Sequence, residues 1–291
     1  MSKKNREIAF DIVNYTLLTL IAAIMLYPFL NVIAVAFSDY SAYLENPLMI
    51  WPRRINLAAF EHVFKDPLIL SSYKNTIIIT IAGTLISLLL TIMTAYPLSR
   101  KDLKGKPILM NIIIFTMLFS GGLIPNYYLI RSLHMIDTLW ALILPGALGA
   151  YNIILMKNFF ESIPDSLEEA AKIDGASDVY ILFKIIVPLS TPIIATIALF
   201  VAVGYWNSFF SAIVYIRDPG KWTLQLVLRE IIMAANTQLL QTGGNYAEMT
   251  NIPPQTLKYA TLIVAVVPIL CVYPFLQKYF VKGIMLGAVK G

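Results

Sequence analysis

"SLEEAAKIDGASDVYILFKIIVPLSTP", Ser166 to Pro192, interrupts an otherwise oily chain with a short acidic segment, a glycine and a proline-marked return to apolar residues. Pro164 precedes it, Ser166 is placed to cap a helix, and Glu169 three residues later completes a capping box, so a short helix is expected from Leu167. Leu167, Ala170 and Ala171 recur at helical spacing, while Glu168, Lys172 and Asp174 offer polar contacts. Gly175 then supplies the residue that tolerates a left-handed turn, and Ser177 or Asp178 can cap the next helix. The two alanines let a backbone approach a groove on another protein, so the segment reads as a docking peg with a bend behind it. The alternative is a helix lying on lipid. Such helices favour Lys and Arg, and here Glu168, Glu169, Asp174 and Asp178 would face an anionic leaflet.

Around this segment the composition is that of a membrane protein. Of 291 residues 58% are hydrophobic and 13% charged, with mean hydropathy +0.72, against about 25% charged in a soluble domain. Six charge-free stretches reach or approach the roughly 20 residues that cross the hydrocarbon core: 15–37, 75–99, 107–130, 138–156, 185–216 and 259–277. In the first, twelve residues are Leu, Ile, Val or Phe. On the insertion scale they contribute about 5 kcal/mol, which offsets Pro28 and Asn31. This stretch is too long for a signal core, so it is expected to stay as a helix. The fold class expected is all-α and polytopic, a single transmembrane domain over 1–291 with six spans and a loop of about 160–184.

Lys and Arg set the orientation. With the N-terminus cytoplasmic, thirteen basic residues lie inside and nine outside, and "RKDLKGK", Arg100 to Lys106, packs four into one short inside connection. Both termini are therefore expected inside, which puts Ser166 to Pro192 on the cytoplasmic side. The long outside loops, Asp39 to Lys74 and Arg217 to Lys258, are of a length that more often carries function than not. They are expected to form a docking or gating surface.

Other chemistry is sparse. Cys271 alone builds neither a disulfide framework nor a cysteine metal site. His62 and His134 are far apart in sequence, and no metal site is expected. The net charge of +5 flanks apolar spans and forms no patch with interleaved aromatics, which argues against nucleic acid. No Gly-rich phosphate loop is present, so ATP hydrolysis is not expected on this chain. Aromatic faces stack on sugar rings and amides bind hydroxyls, so Tyr205, Trp206, Asn207 and Phe209 are candidates for a sugar path; Trp and Tyr also anchor spans at membrane interfaces. Asn111, Asn126 and Asn152 face a cavity or bond between helices. Pro145, Pro188, Pro192, Pro268 and Pro274 interrupt helical ladders and are candidates for bending.

Glu169, Ala170, Ala171, then Gly175, then Ile185, Val187 and Pro188 resemble the EAA loop of binding-protein-dependent ABC importer permeases, whose pattern is EAA, three residues, Gly, nine residues, Ile-x-Leu-Pro. Val187 replaces the Leu. The resemblance implies the type I ABC importer permease fold. It also implies that Glu168, Glu169, Ala170, Ala171, Asp174, Gly175 and Pro188 belong to a coupling segment seated in a cytoplasmic ATPase subunit. "VGYWNSFFSAIVYI", Val203 to Ile216, and the tail "YFVKGIMLGAVKG", Tyr279 to Gly291, resemble the second permease of carbohydrate importers of the maltose type, whose tail reaches toward the ATPases through residues here represented by Gly287, Lys290 and Gly291. Phe119 to Phe160 looks most like permeases for complex or acidic oligosaccharides such as alginate and pectin fragments.

What the resemblance implies is an ATP-driven importer in a bacterial cytoplasmic membrane. Its parts would be this chain, a second permease forming a heterodimer with it, two ABC ATPase subunits that bind ATP and Mg, an extracytoplasmic solute-binding protein and a carbohydrate substrate. No cofactor is expected on this chain, and no enzymatic activity. The rival reading is a secondary transporter driven by an ion gradient. It predicts intramembrane carboxylates and an inverted repeat, neither of which is evident. A non-transporting scaffold would not need the EAA spacing.

Overall fold

The computed structural model describes residues 3–241 and 254–288. Among the described residues fifteen α-helices follow one another: α1 (Lys3–Ala36), α2 (Tyr40–Glu45), α3 (Ala58–Lys65), α4 (Pro67–Ser99), α5 (Lys106–Leu118), α6 (Leu123–Ser132), α7 (Trp140–Ile143), α8 (Ala150–Phe160), α9 (Ser166–Ile173), α10 (Asp178–Ile181), α11 (Val187–Leu189), α12 (Thr191–Trp206), α13 (Phe210–Tyr215), α14 (Leu224–Gln241) and α15 (Pro254–Ala288). Among the described residues the only β pairing is an isolated antiparallel bridge between Ser38 and Ile55. The chain divides into two units, residues 1–67 with 228–267, and residues 68–227 with 268–291.

In the first unit, α1 carries an apolar run, Phe10–Ala36, whose side chains are mostly exposed. Ala34 and Val35 at its end form a small core with Ala42 and Met49, on which Tyr43 and Tyr259 pack. The connection expected as an outer loop is built structure. Asp39 caps α2 by accepting from the Ser41 N–H at 3.2 Å, and Arg54 pairs with Glu45 at 2.8 Å. Phe37 stacks on Phe60 of α3, with centroids 4.6 Å apart. The last eight residues of that expected loop, 67–74, are the first turns of α4. The other expected loop likewise contains α14.

In the second unit α4 supplies residues to both clusters of buried side chains. Its buried positions include Ser72, Thr76, Gly83, Ser87, Thr91 and Ala95, a stripe of small residues at helical spacing, which lets neighbouring helices approach closely where lipid offers no hydrophobic drive. At Gly83 the approach is extreme: a Cβ there would lie 2.6 Å from the Tyr205 ring. One cluster of buried residues gathers Ile79, Leu142, Tyr205, Tyr215 and Leu226. A second gathers Ile92, Tyr96, Met156, Phe160, Ile186 and Ile197.

Three of the apolar stretches expected as spans are bent. The α5–α6 pair turns by 111°, α7–α8 by 50°, and α10 through α12 by 82°. Each break has a local cause. Gly122 sits at φ +84° before α6. Pro145 lies in a 3-10 turn, Leu144–Gly146, after α7. Pro188 and Pro192 flank Ser190, where neither proline supplies the N–H that would continue the ladder. Just before this last break the helix widens to a π turn over Leu182–Ile186, with Val187 N–H donating back to the Leu182 carbonyl. Pro268 and Pro274, by contrast, lie inside the continuous α15.

Candidate functional site

The helix α9 begins one residue earlier than expected and without the capping box. Asp165 occupies the cap position in helical conformation and makes no side-chain cap bond. Ser166 is therefore already inside the first turn. The Asp165 carboxylate is engaged instead with Lys101 Nζ at 2.6 Å. That contact holds the Asp165 carboxyl below its ordinary range and raises the Lys101 ammonium.

The far end of α9 closes as the glycine predicts. Gly175 has φ +80°. Its N–H donates to the Lys172 carbonyl, and the Ala176 N–H donates to the Ala171 carbonyl, both at 3.0 Å. This pair of bonds is the Schellman closure, and it requires the left-handed residue at Gly175. Ser177 then caps α10, accepting from the Tyr180 N–H at 3.3 Å.

The two faces of α9 differ sharply. Ala171 and, beyond the turn, Ala176 pack against the second core cluster. Glu168 turns inward, 6% exposed, and forms an ion pair with Arg100. The Arg100 guanidinium in turn lies over the Tyr96 ring, 4.4 Å from its centroid. The outward face presents Leu167, Glu169, Ala170, Ile173 and Asp174, with Ile173 86% exposed. Glu169 makes no ion pair among the described residues. Of the two adjacent glutamates, one is an internal anchor and the other is free to meet a partner.

Two further pairs tie the loop to the α4–α5 connection. Glu161 accepts from Lys106 and from Lys157, each at 2.8 Å. Partial burial works against ionisation of Glu161, and the two lysines outweigh it, so its carboxyl sits below the usual range. Arg100, Lys101 and Lys106 were legible in the sequence only as topology-setting charges. Their pairing with Glu168, Asp165 and Glu161 spans 68, 64 and 55 residues, respectively, a separation at which no local pattern identifies a partner. Pro188 lies in α11, exposed, beside the break at Ser190.

The residues proposed for a sugar path separate. Tyr205 is buried, its hydroxyl donating to the Ile143 carbonyl at 2.7 Å. Trp206 is buried edge-on to Tyr73, with centroids 6.3 Å apart. Asn207 is exposed and donates to the Val203 carbonyl at 2.9 Å, while Phe209 is 41% exposed. Of the four only Tyr205 lines the cavity of about 420 Å³ that opens where the α7–α8 break faces the end of α12, together with Tyr151, Asn152, Phe200, Gly204, Ser208 and Ser211. Asn111 and Asn126 are both exposed. Gly287 falls within α15, whereas Lys290 and Gly291 lie outside the described residues. Among the described residues no group of three His, Cys, Asp or Glu side chains is placed to hold a metal.

Elsewhere in the same unit, Asp137, at φ +61°, gathers the connection after α13. Its Oδ1 accepts from the Arg217 and Asp218 N–H groups, each at 3.0 Å, and its Oδ2 from Lys221 Nζ at 3.1 Å. The Asp218 backbone contact first, and then Lys221, hold the Asp137 carboxyl below its usual range against some desolvation.

Comparison with known proteins agrees with this geometry. The chain is 45% identical to Protein LplC of Bacillus subtilis over 97% of its own length and 95% of that protein. It is 45% identical to the polygalacturonan/rhamnogalacturonan transport system permease protein YtcP of the same organism, over 99% and 100% of the two chains. A chain in the crystal structure of a bacterial ABC transporter involved in import of the acidic polysaccharide alginate superposes with a TM-score of 0.86 at 35% identity, covering 96% of this chain and 99% of that one. The architecture is thus the all-helical type I ABC permease fold. Residues 87–286, which hold α9, its ion pairs and the cavity, match the family described as the inner membrane component of binding-protein-dependent transport systems, and the chain belongs to that family.

Proposed function

We propose that this chain is one of two permease subunits of an ATP-driven oligosaccharide importer, with saccharides of the pectin type as substrate class. The observation that carries the reading is the division of labour on α9: Glu168 and Ala171 anchor it internally, while Glu169, Ala170 and Ile173 are presented outward on a rigid turn. An ATPase cleft would receive that outward face, and the Arg100–Glu168 pair would carry its displacement to α4. Full-length likeness to the pectin-related permease supports the substrate class.

In this reading six spans cross a bacterial cytoplasmic membrane: α1, α4, α5 with α6, α7 with α8, α10 through α12, and α15. Both termini face the cytoplasm, as does α9. A solute-binding protein delivers sugar on the opposite side. The partner ATPases bind ATP and Mg, and this chain performs no chemistry. Asn152, Ser208 and Ser211 supply neutral donors and acceptors to sugar hydroxyls, and Phe200 and Tyr151 offer faces to sugar rings. Among the described residues no charged side chain lines this cavity, so counter-charges for uronate carboxylates come from another subunit.

The test is purification from native membranes in mild detergent, followed by uptake in reconstituted vesicles. An ABC ATPase and a second permease should accompany the wild type, the ATPase should be lost from Glu169→Lys, and uptake should need ATP. Uptake that survives ATP depletion and stops with an ionophore would overturn the reading in favour of a gradient-driven transporter.

A further inference from the structure

The connection between α1 and α3 contains an uncharged six-residue tip, Pro47 to Pro52, whose placement is unusual for a water-exposed loop. Rather than leaving the end of α1, it folds back along the helix. Asn31 Nδ2 donates to the Pro47 and Met49 carbonyls at 2.9 and 2.8 Å, and the Tyr27 hydroxyl donates to the Leu48 carbonyl at 3.1 Å. Tyr27 and Asn31 lie nine and five residues before Ala36, the last residue of α1. At a rise of about 1.5 Å per residue the tip therefore reaches roughly 8 to 14 Å back along the apolar run.

From Pro47 to Met49 the backbone of the tip is satisfied without water. Besides the three carbonyls just named, the Leu48 N–H donates to Asn46 Oδ1 at 3.2 Å, the Met49 N–H to the Asn46 carbonyl at 3.3 Å, and the Arg53 N–H to Ser38 Oγ at 2.8 Å. Pro47 and Pro52 have no N–H to satisfy. That is the condition for non-helical backbone to sit at membrane depth, and Pro47 to Met49 meet it; the Ile50 and Trp51 backbone groups have no hydrogen bond among the described residues and belong at the level of the interface, where water reaches them.

The side chains match the same environment. Met49 is buried in the unit's own core, while Leu48 is 71%, Ile50 56% and Trp51 79% exposed. An apolar cluster of this kind on an otherwise ordered loop marks an interaction surface. Arg53 follows at once, exposed and without an ion pair among the described residues, whereas the adjacent Arg54 is taken by Glu45. Aliphatic tip, tryptophan, then a free arginine is the order of a segment entering a bilayer from its interface: acyl chains, interfacial belt, phosphate.

We infer that Pro47 to Arg53 is a re-entrant wedge that inserts Leu48, Ile50 and Trp51 into the leaflet at the C-terminal end of α1, with Arg53 against lipid phosphate. The occupant of this surface is lipid. The wedge fixes the depth of α1, and neither Asn31 nor Tyr27 is then a polar misfit in a span, since both are consumed in holding it.

The test uses Trp51 fluorescence in the assembled transporter in nanodiscs, isolated as the difference between wild type and Trp51→Phe. Lipids brominated near the glycerol end of the acyl chain should quench the Trp51 component strongly, lipids brominated near the chain terminus weakly, and aqueous iodide hardly at all. Quenching by iodide instead would place the tip in water, and silence toward both quenchers would place it against another subunit; either overturns the wedge. Ile24→Trp, at a position 72% exposed along the apolar run of α1, separates the two levels of the argument. If the fluorophore introduced there responds to deep-brominated lipid and Trp51 does not respond to bromine at all, the wedge fails while the span stands.

Discussion

Replacing Glu168 by glutamine should loosen α9 far more than its place in a short surface segment suggests. The Glu168 side chain is 8% exposed and that of Arg100 20%, and Arg100 Nε is buried with no hydrogen-bond partner of its own. Removing one member of a fully buried pair costs about 3–5 kcal/mol, because a charge is left uncompensated. Arg100 retains the Tyr96 face, worth about 0.5–1 kcal/mol, and some solvent, so about 2–3 kcal/mol is expected here. The other pair holding this end of the loop, Lys101–Asp165, is exposed on both sides and contributes little, because water screens it. The loss therefore falls mainly on α9 itself. At about 1.4 kcal/mol per decade, its detached population should rise about 30- to 140-fold. Hydrogen exchange of the amides from Glu168 to Ala176 in the assembled transporter reads this directly, and sugar moved per ATP hydrolysed should drop in parallel. The double variant Glu168→Gln, Arg100→Met should recover protection, since it leaves no buried charge. Exchange unchanged in Glu168→Gln, or no recovery in the double variant, would refute the anchor.

Three other outcomes are expected. Gly175→Val should uncouple transport from ATP hydrolysis: its φ of +80° costs an L-residue about 1–2 kcal/mol, more for a β-branched one, and Gly175→Asn should fall in between in sugar moved per ATP. Gly204→Leu should abolish uptake with little change in thermal stability, because a Cβ at Gly204 meets nothing within 4 Å and extends into the cavity; an intact uptake rate would remove that cavity from the path. Asp137 is held below its ordinary 3.8 in the fold, so its stabilisation is complete above that unfolded value and is lost as pH falls through the folded value. Thermal melts of Asp137→Asn should accordingly be lower than wild type at about pH 6 and converge with it in strong acid.

The sequence alone determined the membrane class, the turn at Gly175 and the family pattern, because each is written locally: apolar runs in consecutive residues, a left-handed position in one glycine, and a motif within a single loop. Of the five prolines it marked as bending candidates, Pro145, Pro188 and Pro192 lie at breaks, whereas Pro268 and Pro274 sit inside a continuous helix, because a missing N–H is a property of the residue but whether the ladder breaks there is decided by its surroundings. The extent of each bend was not legible, and neither was the glycine-led break before α6, because an apolar run has the same hydropathy whether straight or folded. Only the tertiary structure decided which of two neighbouring glutamates faces inward. Glu168 and Glu169 are chemically identical, and a helix turns them about 100° apart; what separates them is Arg100, brought beside one of them from 68 residues away. The same holds for Tyr205, whose ring and hydroxyl are consumed by Gly83 and Ile143, and for Asn31, whose amide is answered by carbonyls of a loop that sequence places beyond the end of its helix. Residue type sets what a group can bind, and long-range packing decides which partner it meets.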